Sequence, residues 1–406
     1  MESGSQKPFN IFFLTLHPFP FGLAQTNRLI AMAGGLVKAG CRVKVICLKP
    51  TEHNVLSKNT ATAGNFNGIE YIYPSATTFR ASDSFTRIVH FISGIYRTTL
   101  LLISENRKHR IDFIFAGVLG FFISFWFYLI SRILKIKYLQ ERSEFPFIRA
   151  GKSGFDDISL YLYLTITCKF FDGFLVITRN LREYFTPHLR KNCPVFHLPI
   201  LVEPERFSHI SLSPAEKYIA YCGSMQGNKD GVPDLIDAFG LISGKFPEIN
   251  LCLIGGTEFE GFDRLQEKIA RLSLTKRVIF TSVMDRENLP DMLGNAIMLV
   301  LARPESKQAE GGFPTKLGEY LATGKPVVVT GVGEIGDYLH DGENAYIAKP
   351  GDPRHFAEKM ESVLNDYENA LRIGARGQKL ALTTFNYIFQ GKELAAWLQN
   401  IAKTNG

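Results

Sequence analysis

The sequence predicts an α/β chain built as two doubly wound domains. Three observations predict it. Short apolar runs recur along the chain, and most lead through a glycine or proline loop into a stretch with helical spacing. The chain has 406 residues, 46% of them hydrophobic, which is enough for two cores. A proline-rich polar stretch at 199–216 reads as a linker between a first domain, 1–200, and a second, 217–384.

In the first domain, residues 11–16 form a buried-strand run, 17–28 a loop containing Gly22, and 29–37 an amphipathic helix with Gly40 past its end. Residues 42–48 are the next strand, completing a β-loop-α-β unit. Residues 113–130 carry no charge over 18 positions, which is long enough for a membrane-spanning helix. The favoured reading divides the run into a strand (111–116), a turn (117–120) and a helix (121–134), followed by a strand (137–140). A spanning helix would remove the middle of the sheet. The helix is apolar all round (Phe121, Phe122, Phe125, Trp126) and is followed by Arg132, Lys135 and Lys137; residues 93–110 repeat the apolar-plus-basic pattern. Core packing and contact with a membrane surface both fit it. Glu141, Arg142 and Glu144 follow the strand at the edge where ligands bind in such sheets. Residues 174–178 are a strand, and a helix starts near Asn180.

In the second domain the strand runs are 217–223, 249–256, 276–281 and 297–301. A helix runs through Leu235, Ile236, Ala238 and Phe239, and Asp285 reads as the cap of another. The most informative stretch is 311–329. Gly311 and Gly312 read as a loop, with Phe313 next. Pro314 and Thr315 start a helix, Gly324 takes the αL position past its end, and Pro326 precedes a buried strand. A glycine loop feeding a helix start is an anion site, and Glu319 lies one turn into that helix. A phosphate at the loop and a carboxylate for nearby hydroxyls suit a nucleotide-sugar. Residues 385–403 read as a closing helix with Leu394, Trp397, Leu398 and Ile401 on one face.

The stretch 311–329 resembles the donor-site motif of the GT-B glycosyltransferases, family 4 type. The resemblance is strong over 217–366 and looser over 9–207. It implies two Rossmann-like domains facing a cleft, with the closing helix 385–406 crossing back onto the first. It implies retaining transfer of a sugar from a nucleotide-diphosphate donor to a saccharide or lipid-linked acceptor, without a bound metal or any cofactor beyond the donor. The family's two glutamates, eight apart, fall on Gly311 and Glu319. The first is therefore missing, with Glu310 one position away. Its Gly-Arg and following lysine fall on Gly223, Ser224 and Lys229, so the arginine is missing too. On this basis Lys229 and Glu319 are the catalytic candidates. Gly22, Gly223, Ser224, Val283, Gly311, Gly312, Phe313, Pro314, Thr315 and Lys316 complete the donor set, with Arg303 a further cation. His17, Arg28, Glu141, Arg142 and Glu144 are acceptor-side candidates. The family's histidine after the preceding strand has no counterpart in Phe115-Ala116-Gly117.

Charge is uneven. Residues 1–200 carry 24 Lys and Arg against 12 Asp and Glu, while 201–406 carry 22 against 27. The basic first half fits an anionic membrane surface or a phosphorylated acceptor. No nucleic-acid-binding signature is visible, so nucleic acid ranks last. Six scattered cysteines without CxxC spacing predict a reducing, cytoplasmic setting and no structural zinc, and no signal peptide is read at the start. A place at the inner face of the cell membrane fits the pattern. Two rivals stand beside the transferase reading: a nucleotide-sugar epimerase of the same fold, and a catalytically silent nucleotide-binding scaffold.

Overall fold

The computed structural model describes residues 8–53, 57–146, 154–211 and 217–403, side chains of 154–156 excepted. The chain forms two compact units, Met1–Leu201 with Tyr387–Gly406, and Val202–Asn386.

The first unit runs β1 (Asn10–Thr15), α1 (Ala24–Lys38), β2 (Arg42–Cys47), β3 (Ala63–Phe66), β4 (Ile69–Ile72), α2 (Ser84–Lys108) and β5 (Phe113–Ala116). It continues α3 (Phe121–Ile133), β6 (Lys137–Arg142), α4 (Gly154–Thr165), β7 (Gly173–Val176), α5 (Arg179–Phe185) and β8 (Val195–His197). The eight strands lie in the order β3-β4-β2-β1-β5-β6-β7-β8, and only β3 pairs antiparallel, at the edge. Strand β5 is central, in register with β1 (Ile11 to Phe113) and β6 (Phe113 to Lys137), and all four of its residues are buried. A strand covered on both faces must be apolar throughout. That explains the uncharged run from 113. It is two elements, strand and helix, divided at Gly117–Gly120. Among the described residues no helix is long and apolar enough to cross a membrane.

The second unit begins with a 3₁₀ turn at Pro204–Phe207, inside the stretch read as linker; residues 212–216 of that stretch lie outside the described residues. It then runs β9 (Tyr218–Cys222), α6 (Val232–Ser243), β10 (Asn250–Ile254), α7 (Phe262–Arg271), β11 (Val278–Thr281), α8 (Leu289–Gly294) and β12 (Met298–Leu301). After these come α9 (Lys307–Gly311), α10 (Lys316–Ala322), β13 (Val327–Thr330), α11 (Ile335–Tyr338), β14 (Tyr346–Ala348), α12 (Pro353–Asn365) and α13 (Tyr367–Leu382). The six strands are all parallel, in the order β11-β10-β9-β12-β13-β14. Chain order reverses between β9 and β12, so the loops leaving those strands run to opposite sides and open a crevice at the strands' carboxyl ends.

The last helix, α14 (Tyr387–Lys403), belongs to the first unit and packs on α1; residues 404–406 of the expected helix lie outside the described residues. The two helices touch backbone to backbone. A Cβ on Gly35 would stand 2.3 Å from the Tyr387 carbonyl oxygen, and one on Gly391 would stand 2.3 Å from that of Gly35. Leu394, Leu398 and Ile401 are buried beside this crossing, and Trp397 meets Phe196 at 5.4 Å.

Three local expectations are corrected. Helix α1 begins at Ala24, so Arg28 is helical rather than in the loop. Asp285 does not cap a helix: its carbonyl accepts from Asn288 and Leu289, and α8 starts at Leu289. Gly311 ends a short helix instead of opening a glycine loop. The Ser306 hydroxyl accepts from the Ala309 N–H at 3.1 Å, which caps α9 and draws 307–311 into helical geometry.

Candidate functional site

The crevice in the second unit is shaped by glycines. Gly231, in the left-handed region at φ 67°, starts α6, and a Cβ there would stand 1.8 Å from the Ala302 carbonyl oxygen. The loops after β9 and β12 therefore meet backbone to backbone. At Gly223 (φ 154°) a Cβ would stand 1.9 Å from Lys316 Nζ. Only glycine lets the first turn of α10 lay its ammonium across the end of β9.

Lys316 is held by three groups. It pairs with Asp230 and donates to the Tyr221 hydroxyl at 3.2 Å, and its ammonium stands 4.5 Å from the centre of the Tyr221 ring. Tyr221 in turn donates to Asp230 at 2.9 Å. An ammonium has three N–H donors, and among the described residues Asp230 and Tyr221 engage two of them. Burial works against the Asp230 carboxylate. The Lys316 ammonium, with hydrogen bonds from Lys316 and Tyr221 and Arg303 behind them, outweighs it and holds the carboxyl below its usual 3.8. Burial pushes the Tyr221 and Tyr320 hydroxyls far above the usual 10, so both stay protonated. Tyr320 accepts from the Cys222 N–H at 2.7 Å and fixes α10 to the end of β9. Burial, then the Glu319 charge, pushes the Cys222 thiol up to about 12.

Glu319 stands three residues after Lys316, on the same face of α10. Its Oε1 accepts from Arg206 at 2.7 Å. Arg206 also donates to the Arg286 carbonyl at 2.6 Å, and Arg286 pairs with Glu203. Glu319 Oε2 has no hydrogen bond among the described residues. Arg206 was not singled out from the sequence. It lies 113 positions from Glu319, and nothing in the local pattern of 199–216 marks it.

The other second-unit candidates fall around this pair. Ser224 and Lys229 are exposed in the loop after β9, where the Ser224 carbonyl oxygen lies 2.7 Å from the Tyr221 hydroxyl and shares its one proton with Asp230. Val283 is exposed after β11 and lies 3.3 Å from a Cβ built on Gly256, joining the loops after β10 and β11. Gly311, Gly312 and Pro314 are buried, and Thr315 begins α10. Phe313 turns inward, edge-on to Tyr338 at 5.5 Å and 5.9 Å from Phe385. Arg303 is buried, donating to the Gln308 carbonyl at 3.1 Å. Glu310 lies in α9.

The first-unit candidates form a group of their own. Arg28 is buried and binds Glu141 at 2.7 Å, the Pro199 carbonyl at 2.8 Å and the Leu198 carbonyl at 3.0 Å. All three of its nitrogens thus serve internal bonds that bracket α1, β6 and the end of this stretch of chain. Arg142 is buried between Tyr163 and Phe185, with one N–H directed at the Glu144 carbonyl at 3.4 Å. His17 has an exposed side chain just after β1, and desolvation, then the Lys49 ammonium, lowers its pKa below 6.5. At Gly22 a Cβ would stand 2.2 Å from the Thr26 hydroxyl, which donates to the Pro18 carbonyl at 2.8 Å. The turn itself therefore requires that glycine. Among the described residues no cluster of three His, Cys, Asp or Glu is arranged to hold a metal.

With this geometry in place, comparison with known proteins finds its similarities. Residues 203–380 match the family model described as glycosyl transferases group 1. The chain is 27% identical over 176 residues to the N-acetyl-alpha-D-glucosaminyl L-malate synthase of Bacillus anthracis, covering 43% of each. It is 28% identical over 185 residues to the capsular polysaccharide biosynthesis glycosyltransferase CapM of Staphylococcus aureus, covering 46% of each. The chain thus spans under half the length of these curated relatives. In fold it is similar to the sucrose-phosphate synthase of Thermosynechococcus elongatus, with TM-score 0.72 at 14% identity, over 97% of this chain and 99% of that one. It is also similar to Anabaena HepE in complex with UDP, with TM-score 0.68 at 16% identity, over 97% and 100%. The fold is GT-B, with two parallel-sheet units.

Proposed function

We propose that the chain is a retaining glycosyltransferase of the hexosyltransferase type. It moves a sugar from a nucleotide-diphosphate donor to a saccharide or lipid-linked acceptor in the synthesis of a cell-surface polysaccharide or glycoconjugate. One observation carries the reading. Lys316 and Glu319 present an ammonium and a carboxylate one turn apart on α10, at the edge where the order of the parallel strands reverses. The spacing suits a diphosphate and a ribose.

Bond cleavage at the anomeric carbon leaves negative charge on the departing diphosphate. A cation already positioned there stabilises that charge more than it stabilises the bound donor. Lys316 takes this role where the family's arginine is replaced by Ser224. Lys229, on the exposed loop, is the second cation, and the first N–H groups of α10 add donors. Glu319 accepts from the ribose hydroxyls through Oε2 while Arg206 holds Oε1. Arg206 is a positioning residue. In this mechanism the donor supplies the electrophile and its own leaving group, so no further cofactor or metal takes part. Capsule synthesis in CapM's name and the UDP bound to HepE support the substrate class. All six cysteines are free thiols, which supports a reducing, cytoplasmic setting.

The test is calorimetric titration of the chain with UDP, GDP and ADP, then the matching sugar conjugates. One diphosphate is expected to bind, and Lys316→Ala and Glu319→Ala to weaken it by about tenfold or more, the size of a lost charge-assisted hydrogen bond. Binding of no nucleotide, or equal binding by both variants, overturns the reading. Proton NMR of the product then reports the anomeric configuration, and inversion would refute the retaining assignment.

A further inference from the structure

We infer that the outer surface of α2 and α3 in the first unit is a docking face for an anionic lipid bilayer. This stands whether or not the sugar-transfer reading does. The crossovers β4 to β5, β5 to β6 and β6 to β7 all step the same way across the sheet. Right-handed connections therefore place α2, α3 and α4 side by side on one face, with α1 on the other. Trp126 of α3 donates to the Thr99 hydroxyl of α2 at 2.9 Å, and Asn106 of α2 donates to the Leu134 carbonyl at 3.3 Å, so the neighbouring helices are tied together.

A helix covering a sheet needs one apolar face, and these helices carry two. Helix α2 seats itself on the sheet through Gly94, where a Cβ would stand 2.2 Å from the Leu48 carbonyl oxygen, and through buried Thr98 and Leu102. Its opposite side carries Phe85 (77% exposed), Ile92 (61%) and Tyr96 (61%) in a stripe at helical spacing. On α3, Phe122 (82%) and Ile133 (74%) flank a similar stripe through Leu129. Of the 23 exposed large apolar side chains among the described residues, 15 lie between positions 85 and 166. Soluble surfaces scatter such side chains, and a continuous patch marks an interface.

Charge identifies the occupant. Residues 84–137 hold eight Lys and Arg against two acidic residues. Helices α2 and α3 run in the same direction, so their carboxyl ends bring Arg107, Lys108, Arg110, Arg132 and Lys135 to one end of the apolar stripes. Arg132 pairs with Asp172 and Lys108 lies near Glu105, while exposed Arg107, Arg110 and Lys135 have no acidic partner among the described residues. Two copies of the chain meeting through this face would oppose like charges. A bilayer with anionic headgroups offers a hydrocarbon boundary to the aromatic stripe and counter-charge to its basic end.

The experiment is co-sedimentation of the full chain with phosphatidylcholine vesicles, with and without phosphatidylglycerol. The wild type is expected to sediment with the phosphatidylglycerol vesicles, less so as salt rises. Phe122→Ser/Leu129→Ser/Ile133→Ser changes only outward residues and is expected to abolish sedimentation on either vesicle. Arg107→Glu/Arg110→Glu/Lys135→Glu is expected to lower the partition constant for anionic vesicles about a hundredfold. Circular dichroism melting confirms that each variant folds. The inference is overturned if the wild type does not sediment with anionic vesicles, or if folded variants of both kinds sediment as it does. It is also overturned if the serine variant instead converts a dimer to a monomer with no change in lipid binding, which assigns the face to a second copy.

Discussion

Replacing Asp230 by Asn tests the charge network that the second unit builds around Lys316. In the ion pair the Lys316 side chain is 17% exposed and that of Asp230 7%. The substitution keeps the shape and removes the counter-charge, leaving an ammonium bonded to the Tyr221 hydroxyl at 3.2 Å and little else. Stranding one member of a buried pair costs about 3–5 kcal/mol, and the residual exposure of Lys316 places this case near about 3 kcal/mol. For a unit of this size, about 2–4 °C of melting temperature goes with each kcal/mol, so a loss of about 6–12 °C is expected. Lys316→Met should cost less. It leaves Asp230 with the Tyr221 hydrogen bond and with Arg303 nearby. In Asp230→Asn/Lys316→Met both charges are gone, and stability should return to within about 1 kcal/mol of wild type. Differential scanning calorimetry is the assay. Both tryptophans, Trp126 and Trp397, belong to the first unit, so their emission does not report on this one. A double variant as unstable as Asp230→Asn would show that the charges are not coupled and would refute the reasoning.

Two further outcomes are expected. Arg206→Ala should weaken binding of the preferred nucleoside diphosphate by about tenfold, and Arg206→Lys should restore part of it, since either cation can meet Glu319 Oε1. If Arg206 only props the 3₁₀ turn, Arg206→Ala should lower melting temperature and leave affinity unchanged. In the first unit, Asp172 pairs with Arg132 and with Arg190 at 2.6 Å and accepts from the Tyr138 N–H at 2.8 Å. Burial raises its pKa, but the hydrogen bonds from Arg132 and the Tyr138 N–H and the two arginine charges outweigh this and lower it below 3.8. A carboxylate lowered in this way adds stability above its unfolded pKa and loses it as pH falls through the folded value. Acid unfolding followed by tryptophan emission should therefore be steep below about pH 4 for wild type and flatter for Asp172→Asn. Identical acid limbs would remove Asp172 from the account.

The sequence alone determined the α/β class, the central strands and the stretch that carries Lys316 and Glu319. Strands buried on both faces must be apolar throughout, so β1, β5, β9 and β10 read directly as runs. Gly324, at φ 72°, and Pro326 marked the end of α10 because a helix stop needs local chemistry that few residues supply. The resemblance drawn at 311–319 led to Glu319, and Lys316 was included with it. Their partners were not legible. Asp230 lies 86 positions from Lys316 and Arg206 lies 113 from Glu319, and no local pattern encodes pairs at such separations. The reach of Lys316 over Gly223 depends on parallel strands bringing the ends of β9 and β12 together. Capping by Ser306 turned an expected glycine loop into α9, because one side-chain hydrogen bond outweighed the helix-breaking composition of its end. The outward stripes of α2 and α3 are of the same kind. Their apolar spacing is written in the chain, but only the stacking of helices on one face of the sheet decides which side of each helix is left in contact with water.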